Sequence, residues 1–280
     1  APYRFPITEI YRQAAHTLDE NGEKLMSFSS QFTSTPRSIY QELSTSDVKF
    51  PEVELSDGKT IKVSYGGYSE VLTNYRNQAD RAAAFTGHYE TYAANKNTYA
   101  AIYNSILQRD WFTAQSRNYP STLAAALDSD NVPESVYRTL VETVRSGTAP
   151  LQRYMKIKRK MLGLESYHLY DGSLAMLEDD RTYPYDDMKA TVLESMKPLG
   201  ADYQEKMAKL LDGRWLDVYE SDGKRSGAYS AGVYGVGPYM LMNYNDTLDA
   251  VFTFAHEAGH SMHTVLSYEN QPFATASYTI

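Results

Sequence analysis

A mainly α-helical fold, made of long helices with small β-hairpin elements, follows from three observations on the sequence. Between Asn77 and Arg117, Phe85, Tyr89, Tyr92, Lys96, Tyr99, Tyr103, Ile106 and Asp110 recur at alternating spacings of four and three, the period of a long helix face. The stretch Asp246 to Tyr268 projects as a second amphipathic helix. The period shortens to that of strands in two places only, around Asp57-Gly58 and around Asp222-Gly223, dipeptides suited to hairpin turns.

Taken in order, Thr17-Leu18-Asp19-Glu20 reads as a helix start leading into Leu25, Met26, Phe28 and Phe32, and a second helix is expected from Ser34 past Tyr40 to Leu43. Val53 and Leu55 alternate before the first Asp-Gly, and Ile61 and Val63 after it, which predicts a hairpin near 53–63. The aromatic stripe of the following long helix is expected to be core packing, with Lys96 and Asp110 where packing yields to solvent or a cavity. His88 is expected to be a surface or internally satisfied histidine. After a break at Ser116 to Ser121, Pro120 begins a short helix, and Asp130 to Pro133 caps the next. Its apolar face runs through Tyr137, Leu140, Val144, Leu151, Tyr154, Met155 and Leu162, interrupted by Pro150. The basic run Lys156 to Lys160 is expected to be a solvated face, and His168 a turn histidine. Helices are predicted over Tyr185 to Met196 and Ala201 to Leu211, joined by Pro198-Leu199-Gly200.

Trp215 to Tyr219 and Gly227 to Tyr244 carry strand texture, with Asp222-Gly223 where a hairpin would turn. Gly227, Gly232, Gly235 and Gly237 permit close backbone approach. They fit either turns and bulges or a strand edge that hydrogen-bonds an extended peptide.

The final helix holds His256-Glu257-Ala258-Gly259-His260, an HExxH motif. Two imidazoles one turn apart can grip a single Zn²⁺, and the carboxylate between them can act as general base for a water that attacks a carbonyl. In projection Leu248, Phe252, Ala255, Gly259, Met262 and Leu266 fall within about 40° of one line, predicting the core-facing stripe, with His256, His260 and His263 about a quarter turn away. Asn245 or Asp246 is expected to cap this helix, and Asn270 with Pro272 to end it. At i+7 from His256, His263 lies about 10 Å along the axis, too far to share that ion.

With 280 residues the chain is long enough for one large domain or two ordinary ones. A net charge of −8 argues against nucleic acid as the main partner. No apolar run is long enough to span a membrane. The absence of cysteine fits a reducing, cytoplasmic setting, and no signal-like segment follows Ala1.

Several stretches carry a resemblance to a known family. Trp215 to Glu220 (WLDVYE), Gly223 to Ser230 (GKRSGAYS), Pro238-Tyr239, Asn243-Tyr244, Asp246 to Asp249, Val251 to His263 (VFTFAHEAGHSMH) and Asn270 to Phe273 closely resemble oligoendopeptidase F. That family lies in the thimet oligopeptidase group of zinc metallopeptidases. The pieces Lys49 to Pro51, Glu90 to Tyr92, Val141 to Arg145 and Ser195 to Gly200 look like the same family, so the resemblance covers most of the chain.

The resemblance implies a long-helix oligopeptidase fold with two lobes flanking a deep channel, zinc at its floor and a small sheet beside the metal helix. On that footing residues 1–280 form an incomplete peptidase domain: 1–200 a mostly helical lobe, 201–280 the start of the catalytic zinc lobe. Carried over by motif, His256 and His260 are zinc ligands, one Zn²⁺ per complete site, and Glu257 is the general base of an endopeptidase cleaving short peptides. His263 belongs to the family string without being a ligand. The family completes the tetrahedron with a glutamate on a following helix, expected beyond Ile280, and places transition-state-stabilising tyrosine and histidine residues later still. The acidic side chain that follows His260 here is Glu269, which would sit about 13 Å away along a continuous helix. The chain is therefore expected to be an internal fragment that alone binds zinc weakly and has little activity.

Other readings of HExxH fit less well. The metzincin string fails at His263 and Leu266, and the shorter-spaced glutamate type of aminopeptidase would need an acid near Thr279. A dipeptide-releasing carboxypeptidase belongs to the resembling group. The alternative from another class is a non-catalytic peptide-binding or scaffold fragment of the same fold.

Overall fold

A computed structural model describes residues 3–177 and 181–276; Thr279 and Ile280 lie outside the described residues. In chain order the elements are α1 (Arg4–Gln13), α2 (Glu20–Thr33), α3 (Thr35–Glu42), β1 (Glu52–Glu54), β2 (Thr60–Lys62), α4 (Tyr65–Asn74), α5 (Gln78–Ala94), α6 (Lys96–Ser116), α7 (Thr122–Asp128), α8 (Glu134–Ser146) and α9 (Ala149–Met161). There follow α10 (Tyr185–Ser195), α11 (Ala201–Asp212), β3 (Leu216–Tyr219), β4 (Tyr229–Val233), β5 (Gly237–Tyr244) and α12 (Leu248–Asn270). The mainly α class with small strands ahead of the HExxH helix is as expected. Contacts divide the chain into two units, one of Ala1–Val48 with Tyr92–His168, the other of Lys49–Thr91 with Leu169–Ile280.

In the first unit, α2 begins where the sequence places it: Asp19 accepts from Gly22 N at 2.8 Å, and Glu23 reaches back to Leu18 N at 2.9 Å. The same Glu23 carboxylate accepts from Arg117 at the end of α6. Asp128 gathers Arg12, Gln13 Nε2 at 2.8 Å and the Tyr119 hydroxyl at 2.7 Å. Burial, with the hydrogen bond to Asp128 second, pushes the Tyr119 phenol up to about 12. His16 stacks on Tyr119 at 3.7 Å and bonds the Arg117 carbonyl at 2.8 Å.

The single helix expected over Asn77 to Arg117 is two, α5 and α6, separated at Asn95 (φ −110°, ψ 15°). Asparagine competes with the helix for its own backbone and suits a break. The aromatic stripe is not a core: Tyr89 and Tyr103 are exposed, while Ile102 and Ala114 are the buried residues of α6. Pro150 sits in the first turn of α9, so α8 and α9 are separate, as its ring requires. Of the basic run on α9, Lys158 is buried while Lys156, Arg159 and Lys160 are exposed. Five consecutive residues sweep more than one helical turn, so one of them must face inward.

In the second unit, β1 and β2 pair antiparallel with Val53 opposite Ile61, and Gly58 takes φ +81° in the turn. Leu55, Val63, Val71, Leu72 and Ala84 close a core beneath this hairpin. His88 is buried against it, its Nδ1 2.8 Å from the Val63 carbonyl and its ring stacked 4.3 Å from Tyr68; it is thus a satisfied histidine and not a surface one. Burial lowers its pKa, and the bond to the Val63 carbonyl opposes that. Arg81 and Asp171, both wholly buried, pair at 2.6 Å. Arg81 also donates to the Tyr75 and Arg76 carbonyls, and Gln78 donates to Asp171. Fully satisfied, this pair ties the segment after α4 to the one that follows α9.

The three-stranded sheet has the order β3-β5-β4, with β3 parallel and β4 antiparallel to β5. Asp222-Gly223 does turn (Gly223 φ +80°), but the chain then crosses to the far side of β5 and no β3–β4 hairpin forms. The hairpin is β4–β5, turning at Gly235 (φ +78°). β5, with Gly237, Pro238, Met240, Met242 and Tyr244 buried, is the most apolar strand and takes the centre. A second core joins Met240, Met242 and Tyr244 to Met188 and Val192 of α10, Met207, Leu210 and Leu211 of α11, and Phe254, Ala258 and Met262 of α12.

Candidate metal centre

The HExxH sequence lies in the middle of α12, an unbroken helix from Leu248 to Asn270. Its cap is Thr247, whose Oγ1 accepts from Ala250 N at 3.1 Å, rather than Asn245 or Asp246. Asp246 instead takes a left-handed φ of +57°, one residue too early to cap.

The buried face also differs from the expected one. Ala250, Phe254, Glu257, Ala258, Ser261, Met262 and Thr264 face inward, whereas Leu248 is 45% and Phe252 68% exposed. Two apolar stripes run along α12 about 100° or more apart, sharing Met262. β4 and β5 pack on the one that carries small residues, which lets strand and helix backbones approach. A Cβ on Gly232 of β4 would lie 2.3 Å from the Tyr268 hydroxyl and 2.7 Å from Thr264 Cγ2 of α12, so close approach is the role of that glycine. Gly227 and Gly235, with positive φ and open space around them, serve turns. Ser230 of β4 and Ser261 of α12 share a hydrogen bond at 2.9 Å. Neither serine stands out from its neighbours in sequence.

The face opposite this packing carries the imidazoles. His256 and His263 are exposed and His260 partly so. The Nε2 atoms of His256 and His260 approach to 3.1 Å, with ring centroids 4.7 Å apart and planes at 81°. Two imidazole nitrogens on a tetrahedral zinc at about 2.0–2.1 Å would be about 3.3 Å apart, so the pair converges at a spacing that suits one ion. Glu257, between them in sequence, is 8% exposed.

No group of three or more His, Cys, Asp or Glu side chains able to hold a metal occurs among the described residues. Glu269 does not fold back toward the imidazoles. It lies further along the same helix and pairs with Lys206 of α11 at 3.2 Å. His168 is exposed and shares a 2.8 Å hydrogen bond with Ser166. None of the described helices is long and apolar enough to cross a membrane.

Comparison with known proteins bears on the same residues. The family model described as Peptidase family M3 matches residues 71–280, and that of Oligopeptidase F matches residues 1–50. Oligopeptidase PepF of Bacillus subtilis is 34% identical over 279 residues, covering 99% of this chain and 42% of its own length. Group B oligopeptidase PepB of Streptococcus agalactiae is 32% identical, covering 97% of this chain and 45% of itself. The crystal structure of oligoendopeptidase-F from Enterococcus faecium superposes with a TM-score of 0.61 at 31% identity, over 75% of this chain and 39% of that one. The chain spans less than half the length of the curated relatives it matches.

Proposed function

The chain belongs to peptidase family M3, and from that premise we propose that it carries the zinc helix and general base of a metalloendopeptidase acting on short peptides. The observation that carries the reading is the 3.1 Å convergence of His256 and His260 Nε2 on the exposed face of a helix whose other face is buried. His256 and His260 would hold zinc, which when bound supplies a Lewis acid at this corner. Glu257 takes the proton of the attacking water and returns it to the leaving amine. A neutral imidazole presents a lone pair at Nε2 only when its proton sits on Nδ1, so both rings must adopt that tautomer. The edge strand β4, held against α12 through Gly232 and the Ser230–Ser261 bond, would pair with an extended peptide laid along the histidine-bearing helix. In this reading the catalytic lobe begins near residue 201 and the third zinc ligand comes from outside the described residues.

Zinc titration by calorimetry, together with cleavage of an end-blocked quenched fluorescent peptide, tests this in the 280-residue chain and in a longer product of its gene. Two imidazoles alone should hold zinc weakly, with tight binding and hydrolysis in the longer product. Glu257→Gln should leave zinc binding in place and lower turnover by about a hundredfold or more. Turnover by the longer product that survives both chelation and Glu257→Gln would overturn the proposal. A longer product that binds peptide without cleaving it would favour a peptide-binding fragment.

A further inference from the structure

A cavity of about 80 Å³ with mixed polar and apolar walls lies at the N-terminal end of α12; its polar lining comes from Tyr65 and Ser69 of α4, Asn243 and Asn245, and Asp249 and Thr253 of α12, and Met242 and Ala250 are among its apolar lining. Asp249 and Thr253 fall on the same side of the helix as His256, His260 and His263 by the 100° rotation per residue. The rise of 1.5 Å per residue sets Asp249 about 10 Å from His256 along the axis. An extended peptide advances about 3.3 Å per residue, so the cavity is about three residues from the metal pair.

The cavity presents acceptors. Asn243 donates both amide protons, to the Arg225 carbonyl at 2.9 Å and the Gly227 carbonyl at 2.8 Å, which leaves its Oδ1 as the atom still open to a partner. Asn245 Oδ1 is taken by Thr247 Oγ1 at 2.8 Å. Asp249 is exposed at the mouth, and no lysine or arginine among the described residues lines the space. A second carboxylate stands beside the cavity wall, behind a glycine. Gly66 lines the cavity, and a Cβ there would lie 2.3 Å from Glu220 Oε2, so the missing side chain is what admits Glu220. Lys62 lies near Glu220 but donates to Asp222 at 2.9 Å. An acid in the first turn also suits the helix dipole; the amide acceptor, the second acid and the cavity go beyond that role.

We propose that this cavity is a subsite for a cationic, hydrogen-donating group of a bound peptide, an ammonium or guanidinium held by Asp249 with Asn243 Oδ1, the Glu220 carboxylate adding negative charge from beside the wall at Gly66. Its volume admits a few water-sized groups, enough for an ammonium and its first carbons. The inference rests on the peptidase reading for the path of the peptide, but its binding step needs neither zinc nor Glu257.

Calorimetry on the 280-residue chain with chelator present tests it, using one apolar heptapeptide in three forms. These are acetylated and uncharged, free at the amino terminus, and acetylated with a single lysine placed at successive positions. A charged form should bind roughly tenfold more tightly than the neutral one. Preference for the free amino terminus alone would identify a terminal ammonium, and preference for lysine at one position a side chain. Asp249→Asn should erase the preference, and an unfolding midpoint in urea equal to that of the parent chain controls for folding. Gly66→Ala, which displaces the Glu220 carboxylate, should weaken the preference in part. Equal affinities for all three forms, binding of none, or a preference that survives Asp249→Asn would overturn the subsite. Because the preference should persist in Glu257→Gln, a chain that discriminates peptides and never cleaves them sinks the catalytic reading alone.

Discussion

Helices α8 and α12 are amphipathic by the same 3.6-residue arithmetic, yet they meet different fates. α12 buries Phe254, Ala258 and Met262 completely, in a core shared with α10, α11 and β5. α8 leaves Leu140 and Val144 each 61% exposed, and α9 continues the uncovered face with Leu151 and Met161. The difference extends to their units. Both clusters of buried apolar side chains found among the described residues belong to the unit of α12. The unit of α8 is tied instead by partly exposed polar clamps, Glu23 with Arg117 and Asp128 with Arg12, Gln13 and Tyr119. An apolar stripe therefore says that a helix has a face to bury, and not that the chain covers it.

Substitutions can sharpen or break that contrast. Arg81→Ala should be the most damaging, by about 3–5 kcal/mol, because it strands Asp171 as a buried charge. Urea unfolding of the α12 unit reads this directly, and a loss under about 1 kcal/mol would show that water reaches the pair. Phe254→Ala, which empties the centre of the second core, should cost about 3 kcal/mol in the same assay.

Acidification is next in size. His88 has a folded pKa below its unfolded value of about 6.5, so the unfolded chain takes up more protons in the window between the two. The stabilisation is complete above the unfolded pKa and is lost as pH falls from there toward the folded one. The α12 unit should thus weaken as pH drops below about 6.5, and His88→Gln should flatten that slope. An unchanged slope would place the acid sensitivity elsewhere. Leu140→Ala should shift stability least, within about 0.5 kcal/mol, since its side chain already meets solvent. A loss of 2 kcal/mol or more would mean that α8 is covered in solution and would dissolve the contrast between the units.

How much was legible in the sequence varied with how local the signal was. The start of α2, the break before Pro150 and the Gly58 turn were all readable, because caps and turns depend on a few adjacent residues; α7 begins at Thr122 under a Ser121 cap rather than at Pro120. The HExxH pair was readable for the same reason, since one helical turn suffices to bring two imidazoles together. The break at Asn95 was missed because heptad spacing continues across it and a one-residue interruption barely disturbs the stripe. The β3–β4 hairpin was misread because Asp222-Gly223 records a turn, but not which strand lies across from it. Gly232 was recognised as permissive, though its partners Thr264 and Tyr268 come from a helix more than thirty residues away.

By itself the sequence determined that α12 is a helix, that His256 and His260 share one of its sides, and which family the chain joins. Those properties follow from backbone geometry and residue identity within short windows. Only the tertiary structure decided that α12 turns Phe254 rather than Phe252 inward and that β5 lies between β3 and β4. It also placed Asp249, Asn243 and Gly66 around one cavity. Each of these depends on partners far along the chain, and burial is a relation between surfaces that no single window of sequence contains.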